Sequence, residues 1–404
     1  MLNRKLYLDK IVEFIDKPFV KVITGIRRSG KSTILMLLKS ELQKRGITNE
    51  QIIYINFESF SYSHIDNAET LYAFIQKKLS SKKRHYIILD EVQEVDKWEK
   101  AVNSFLVDFN ADIYISGSNS HLLSSELATF LAGRYIEFHI YPLSFKEYLE
   151  FKQQRNLEEV DIGQEFEYFL RMGGFPVLHT ADYSFEAAYK IVFDIYSSVI
   201  LRDTIQRNNI RDIELLERVV KYVFDNIGNK FSGKNVADYF KSQQRKIDIN
   251  TVYNYLKALE SAFIIHRISR YDVKGKEILK TQEKFYVADS ALLYAVMGYK
   301  DRLIAGVLEN IVLLELKRRG YSVFVGKLDQ LEIDFVAQRG NDVLYLQVSY
   351  LLSEQSTIER EFTPLLKIKD NYPKYLITMD KTWKDTIEGV KHLYIGDFLL
   401  MEKL

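Results

Sequence analysis

The stretch VKVITGIRRSGKSTILMLL, residues 20–38, constrains this chain more than any other part of it. It places two arginines inside a glycine-bracketed turn and then runs into an apolar helical pattern. Gly25 to Ser32 fits G-x-x-x-x-G-K-[ST], a phosphate-binding loop that needs a strand before it and a helix after it. Both flanks are present. Val20–Thr24 reads as a short buried strand, and Ile34, Leu35, Leu37, Leu38 and Leu42 recur at helical spacing. A strand–glycine loop–helix unit aims several backbone N–H groups and the positive end of the helix at one point. The residues expected around the phosphates are Gly25, Ile26, Arg27, Arg28, Ser29, Gly30, Lys31, Ser32 and Thr33. Lys31 is placed to reach the β- and γ-phosphates, and the Ser32 hydroxyl to ligate Mg²⁺. Arg28 reads equally well as a solvated loop charge.

A phosphate loop of this kind requires an acidic partner, and residues 85–94, HYIILDEVQE, supply one. Tyr86–Leu89 is an apolar strand ending in Asp90 and Glu91, roughly 60 residues after the loop. Asp90 is expected to hold Mg²⁺ through its water shell, because that ion dehydrates reluctantly. Glu91 is placed to orient and deprotonate the water that attacks the γ-phosphate. The cofactors are therefore ATP and Mg²⁺. A further strand end, DIYISGSNS at 112–120, puts Ser118 and Asn119 in a polar turn. Either side chain can hydrogen-bond the γ-phosphate and the lytic water, although such residues also favour plain turns.

Strand-like runs at 20–24, 52–56, 86–89, 113–116 and 135–140 alternate with helical patterns, which predicts an α/β sheet covered on both faces. The length of 404 residues suggests two or three domains. No residue is cysteine, so disulfides and thiolate metal sites are excluded, and a reducing, cytoplasmic setting is expected. The N-terminus, MLNRKLYLDKIVEF, lacks the apolar core of a secretory signal, and no run approaches a membrane span. A formal charge of +1 selects no partner class.

Taken together, GIRRSGKST, IILDEVQEV, ISGSNSHLLSSELATFLAGR and HIYPLSFKEYL resemble the AAA-type ATPases of prokaryotes that carry an Arg-Arg pair in the P-loop. The resemblance implies that the γ-phosphate sensor lies in GSNS. It also implies an arginine finger at Arg134 of LAGR, acting in cis or on a neighbouring subunit of an oligomer, where the residues alone read as a surface arginine at a helix end. Gly173-Gly174-Phe175-Pro176 resembles the glycine–proline turn in the helical lid of related signalling ATPases, which would put Pro176 near the adenine. A helix stop accounts for the same residues.

Three helical segments follow, 212–228, 232–244 and 248–262, with Ser232 and Asp248 as N-caps of the last two. The alternating run from Phe263 to Ser290 turns at Lys274-Gly275-Lys276, as a hairpin would. Three helices and a β-wing predict a winged helix over 211–300. That segment holds 16 Lys/Arg against 11 Asp/Glu, a modest surplus. Asn250, Tyr253, Asn254 and Lys257 would face DNA from the third helix, and Arg270, Lys274 and Lys276 from the wing. Winged helices also dock proteins.

Residues 306–349 place Glu309 on a helix, then strands bearing Asp334 and Gln347-x-Ser349. This order resembles the restriction-endonuclease-like nucleases of the PD-(D/E)xK type, in a degenerate form. The resemblance implies that Ser349 stands at the lysine position and Gln347 at a carboxylate position. Loss of the cation removes a main stabiliser of the transition state. Lys327 and Lys317 are the nearest lysines that a rearranged site would draw on.

The expected architecture is an AAA-type P-loop ATPase core with a parallel sheet (1–150), a helical lid (151–210), a winged helix (211–300) and a nuclease-like α/β domain (301–404). The expected function is ATP binding and hydrolysis driving a conformational switch linked to nucleic acid, without a membrane. Two alternatives come from other classes: a signalling or toxin–antitoxin-type scaffold that recruits a protein partner, and an ATP-gated nuclease.

Overall fold

A computed structural model describes residues 4–79, 83–120, 131, 133–154, 161–242, 247–352, 354–383 and 386–404. The chain divides into two compact units, one ending at Ile140 and including Ser261–Phe263, the other formed by Tyr141–Glu260 and Ile264–Leu404.

In the first unit, β1 (Val20–Thr24), β2 (Ile52–Asn56), β3 (His85–Asp90), β4 (Ala111–Ser116) and β5 (Tyr135–His139) form one parallel sheet in the order β2-β3-β4-β1-β5. These are the strands that the apolar runs predict. Every residue of β1 and β3 is buried, as expected where helices cover both faces. The two-residue alternation of a strand divides their side chains between two cores. Val20, Val22, Ile87, Leu89, Ile113 and Ile115 join α3 (Ala68–Lys78) and α4 (Trp98–Asp108) on one side. Ile23, Tyr86, Ile88 and Tyr114 meet α1 (Lys5–Val12) and α2 (Lys31–Lys44) on the other, through Leu8 and Ile11 and through Ile34, Leu35, Leu38 and Leu42.

One buried charge in this interior is Lys21. It is fully buried on β1, with its ammonium on the Asp112 carboxylate and 2.9 Å from the Lys17 carbonyl. Asp112 also accepts from Tyr114 Oη at 2.7 Å and the Asp16 N–H at 2.9 Å. Burial lowers the lysine pKa, and Asp112 works against that shift.

In the second unit, helices α5 (Phe145–Gln153), α6 (Ile162–Met172) and α7 (Phe185–Ser198) come first. Next are α8 (Ile213–Asp225), α9 (Gly233–Ser242) and α10 (Ile249–Ser261), with Ser232 Oγ accepting from Asn235 N–H and Asp248 Oδ1 from Asn250 N–H. The expected hairpin forms, as β6 (Ile265–Asp272) and β7 (Glu277–Val287). It does not stand free as a wing. β6 pairs in parallel with β8 (Ser322–Leu328), which follows α11 (Ser290–Met297) and α12 (Ile304–Arg318). β8 continues through β9 (Leu331–Arg339) and β10 (Asp342–Val348). After α13 (Gln355–Leu366) come β11 (Lys374–Thr378), β12 (Thr386–Ile387) and β13 (Val390–Tyr394), giving the sheet order β12-β13-β11-β10-β9-β8-β6-β7. The expected division at residue 300 therefore falls between strands of one sheet. Arg270, expected on a solvent-exposed wing, is instead buried on β6 and donates to Gln282.

Removing one member of a buried ion pair strands the other, which typically costs about 3–5 kcal/mol. Lys21→Met should therefore lower the unfolding free energy by about that amount. Lys21→Met combined with Asp112→Leu should recover part of the loss. Urea titrations of Lys21→Met, Asp112→Leu and the double variant test this, and a double-variant loss equal to the sum of the two single losses would show that the pair is not coupled.

Candidate functional site

The parallel order places the carboxyl end of β1 beside that of β4, and β4 beside β3, so the turns after these strands converge. The loop after β1 is held by close backbone packing. Gly25 has φ +142°, and a Cβ there would lie 2.2 Å from the Ile140 carbonyl oxygen. Gly30, at φ +101°, is the left-handed residue from which α2 starts. Ile26 and Ser29 are buried, and the Ser29 carbonyl accepts from Arg4 Nη1 at 2.7 Å. Ser32 and Thr33 open α2, half-buried. Arg27 is paired with Glu58 at 2.5 Å, whereas Arg28 is exposed in a left-handed conformation, φ +68°.

Lys31 is buried and folds back over its own loop. Its Nζ donates to the Gly25 carbonyl at 3.1 Å and the Ile26 carbonyl at 3.4 Å, and stands 3.5 Å from Glu91 Oε1. Asp90 ends β3 with both carboxylate oxygens engaged. Oδ1 accepts from Ser116 Oγ, and Oδ2 from Asn56 Nδ2 and Tyr54 Oη, each at 3.1 Å. Glu91 is left-handed, φ +54°, and its N–H donates to Ser116 Oγ at 3.1 Å. Gln93 Nε2 donates to Glu91 Oε2 at 2.5 Å. Burial pushes the Glu91 carboxyl up, but the Lys31 ammonium and the Gln93 amide outweigh it and hold it below its usual range. Glu91 is therefore an ionised acceptor at neutral pH.

After β4, the Gly117 N–H donates to the Ile23 carbonyl at 3.1 Å, drawing the turn against β1. Ser118 and Asn119 follow, both buried, and Ser118 Oγ has no partner among the described residues. Ser29 Oγ is orphaned in the same sense. A buried lysine, two adjacent carboxylates, a glycine cradle that a Cβ would fill and two orphaned hydroxyls suit a polyphosphate with a divalent cation. No three His, Cys, Asp or Glu form a metal cage among the described residues. Mg²⁺ bound through one or two carboxylates, phosphate and water needs none.

Residues 17–149 match the AAA domain family, and residues 163–303 match a domain of unknown function. The chain is 41% identical over 401 residues to an uncharacterized protein of Haemophilus influenzae, covering 99% of both. It is 33% identical over 391 residues to one of Methanocaldococcus jannaschii, covering 93% of this chain and 86% of that one. The chain belongs to this family of AAA-domain P-loop ATPases. A solved Walker-type ATPase of Pyrococcus abyssi shares the fold, with a TM-score of 0.52 at 16% identity, over 73% of this chain and 96% of that one.

Arg134, which the sequence attached to the AAA site, stands apart from it within the first unit. The Arg134 carbonyl accepts from the Val20 N–H at 2.8 Å, beside the amino end of β1. The P-loop leaves the opposite end of that five-residue strand, about 13–16 Å away. Arg134 is exposed there, and a finger acting in cis is out of reach. Pro176 begins a short 3₁₀ turn in the second unit. The preceding glycines are explained within that unit. A Cβ on Gly173 would lie 1.9 Å from Asp289 Oδ1, and one on Gly174 2.2 Å from the Leu143 carbonyl oxygen. Asp289 Oδ2 accepts from the Gly174 N–H at 2.7 Å, and burial pushes its carboxyl up to about 6.

The second unit of the AAA protein also brings together most of the nuclease-like set. Glu309 projects from α12, Asp334 from β9 and Gln347 from β10. Gln347 Oε1 accepts from the Asp334 N–H at 3.3 Å, and its Nε2 donates to Glu361 Oε2 at 3.0 Å. Asp334 Oδ2 accepts from the Val348 N–H at 2.9 Å. Ser349 is buried, with its N–H on the Ile377 carbonyl at 3.0 Å. The cation of this cluster is Lys284 of β7, which sequence reasoning missed. Its Nζ lies 3.2 Å from Glu309 Oε2, 3.0 Å from Glu332 Oε1 and 3.5 Å from Asp334 Oδ1. Lys327 instead faces Asp272 at 3.9 Å, and burial lowers the pKa of Lys317, against the charge of Glu260. Burial would lower the Lys284 pKa, yet Tyr286 and the carboxylates hold it well above its usual value. Burial and Glu309 push Asp334 up to about 8.

Asp334 binds its proton more tightly in the folded chain than at its ordinary value of 3.8. The stability it contributes is complete below that value and is lost as pH rises through about 8. Between pH 5 and pH 9, wild-type unfolding free energy should fall more steeply than that of Asp334→Asn. Chemical denaturation across this range checks it; parallel slopes would contradict the assignment.

Proposed function

We propose that this chain binds ATP with Mg²⁺ in its first unit and hydrolyses it to switch conformation, acting on nucleic acid. The observation that carries this reading is the convergence of Lys31, the Asp90–Glu91 pair and the buried Ser118–Asn119 turn at the ends of β1, β3 and β4. Lys31 exchanges its loop carbonyls for the β- and γ-phosphates. The loop N–H groups and the start of α2 supply further positive potential. Ser32 and Asp90 hold Mg²⁺, which neutralises charge on the phosphates when bound. Glu91 accepts the proton of the attacking water, and Ser118 or Asn119 orients that water against the γ-phosphate. Arg27 is positioned in the loop by Glu58. Arg134, out of reach of its own P-loop, serves as a finger only toward a neighbouring copy.

For nucleic acid, the support is the exposed face of α10. Asn250, Tyr253, Asn254 and Lys257 are all exposed there, while Val252, Tyr255, Leu256 and Leu259 are buried. Lys274 and Lys276 are also exposed at the hairpin tip, although Lys274 is paired with Asp329. Cleavage by the second unit is not part of the proposal. The Lys284 ammonium sits among the carboxylates where a divalent cation would have to bind.

Lys31→Ala should abolish ATP binding, while Glu91→Gln should retain ATP and lose hydrolysis. Nucleotide titration with a phosphate-release assay separates them, and equal loss of binding in both would refute the roles. Duplex DNA should bind with an affinity that falls steeply with salt, as counterion release requires. Lys257→Ala should weaken that binding. Failure to bind duplex at low salt would favour the protein-docking reading.

A further inference from the structure

Outside the P-loop and the Lys284 cluster, the second unit holds an open cavity of about 390 Å³, within the size range of small-molecule sites. Its main wall is one stripe of α6. Gln164, Glu167, Tyr168 and Arg171 recur at the spacing of a single helix face beside Leu170, while Phe166 and Phe169 turn to the core. The floor is the Arg171 guanidinium, set against two rings, with its Cζ 4.0 Å from the centre of Phe185 and 4.6 Å from that of Tyr299. Its Nε has no partner among the described residues.

The remaining wall comes from the sheet. Tyr350 follows β10 and Met379 follows β11, two parallel neighbours, and the Met379 N–H donates to the Tyr350 carbonyl at 3.0 Å. The cavity thus opens outside the carboxyl ends of adjacent parallel strands, where α/β sheets bind their ligands. Tyr299 and Tyr350 keep 39% and 44% of their surface exposed, so their rings are available to a ligand.

Flat aromatic walls, a fixed guanidinium and one carboxylate define a narrow chemistry. We infer that this cavity binds one nucleotide unit, its base stacked on the tyrosines and its phosphate on Arg171. Base stacking on aromatic rings and arginine planes is how unpaired nucleic acid is held. Arg171 presents fixed N–H donors to phosphate. Glu167 and Gln164 supply acceptors for N–H groups on the edge of the base. A free nucleotide and an unpaired residue of a strand share this chemistry. The site draws on none of the P-loop residues.

The experiment uses the full chain carrying Lys31→Ala, so that nucleotide at the P-loop does not mask binding here. Short single-stranded DNA and RNA, the duplex of the same sequence, and the four nucleoside monophosphates are titrated by fluorescence anisotropy or calorimetry. Tyr299→Ala and Tyr350→Ala should each weaken binding about five- to a hundredfold, while Tyr299→Phe and Tyr350→Phe stay within about twofold. Arg171→Gln should weaken it at least about tenfold and flatten its salt dependence. Monophosphates binding as tightly as the single strands would identify a free-nucleotide site; saturable binding of the strands alone would identify an unpaired residue. Either result supports the inference. Absence of saturable binding for both at millimolar concentration, or tyrosine-to-alanine variants that bind like the parent, would overturn it.

Discussion

Lys31 and Glu91 stand 3.5 Å apart at the ends of β1 and β3, their side chains 3% and 9% exposed. Neither charge is easily buried alone, because desolvation of an unpaired ion costs several kcal/mol. Each makes the position of the other tolerable. The pair therefore links the two strand ends electrostatically, and the flanking geometry serves it. Ser116 fixes both Asp90 and the Glu91 N–H, Gln93 restrains the Glu91 carboxylate, and the Gly25 and Ile26 carbonyls hold the ammonium. In the proposed reading, a phosphate arriving at the loop would compete for Lys31 and release Glu91 from its cation. Binding the anion and freeing the base would then be one event.

The first unit was legible because its signals are local. A glycine loop, a strand before it and a helix after it lie within 25 residues, and Asp90-Glu91 ends an unbroken apolar run. The second unit was legible only in pieces. Alternation over 263–290 predicted a hairpin correctly, but no local pattern says whether a hairpin stands free or joins a sheet. That outcome rests on the parallel pairing of Arg270 with Val325 and Tyr271 with Gly326, more than fifty residues apart. The same distance hid Lys284. It reads as a strand lysine in a basic segment, and only the closure of β7 onto β6, and of β6 onto β8, brings it to Glu309 and Asp334.

The glycines of Gly173-Gly174-Phe175-Pro176 illustrate a different limit. The sequence marks a tight turn and leaves its reason open. Within the second unit the reason is steric: Asp289 and the Leu143 carbonyl approach too closely for any Cβ. Leu143 is also held there by its N–H on the Gly174 carbonyl at 2.7 Å and by Arg318 Nη2 at 3.3 Å from its own carbonyl. Three residues earlier in the chain, in the first unit, the Ile140 carbonyl meets Gly25, and the Ile140 N–H donates to the Thr24 carbonyl at 2.8 Å. Each of these glycine contacts closes within its own unit.

Three buried lysines show how differently one side chain can be used. Lys21 is closed by a carboxylate that itself holds two further donors, and nothing of its charge remains to offer. Lys284 is closed by three carboxylates within 3.5 Å, and a proton on Asp334 relieves the excess negative charge around it. Lys31 alone among these is held by longer and mostly neutral contacts, two loop carbonyls and one carboxylate at 3.5 Å. An ammonium–phosphate contact joins two opposite charges, whereas each loop carbonyl offers the ammonium only a neutral dipole. The exchange is therefore favourable at Lys31 and unfavourable at the other two. What separates a working cation from a structural one is the strength of the partners it must leave.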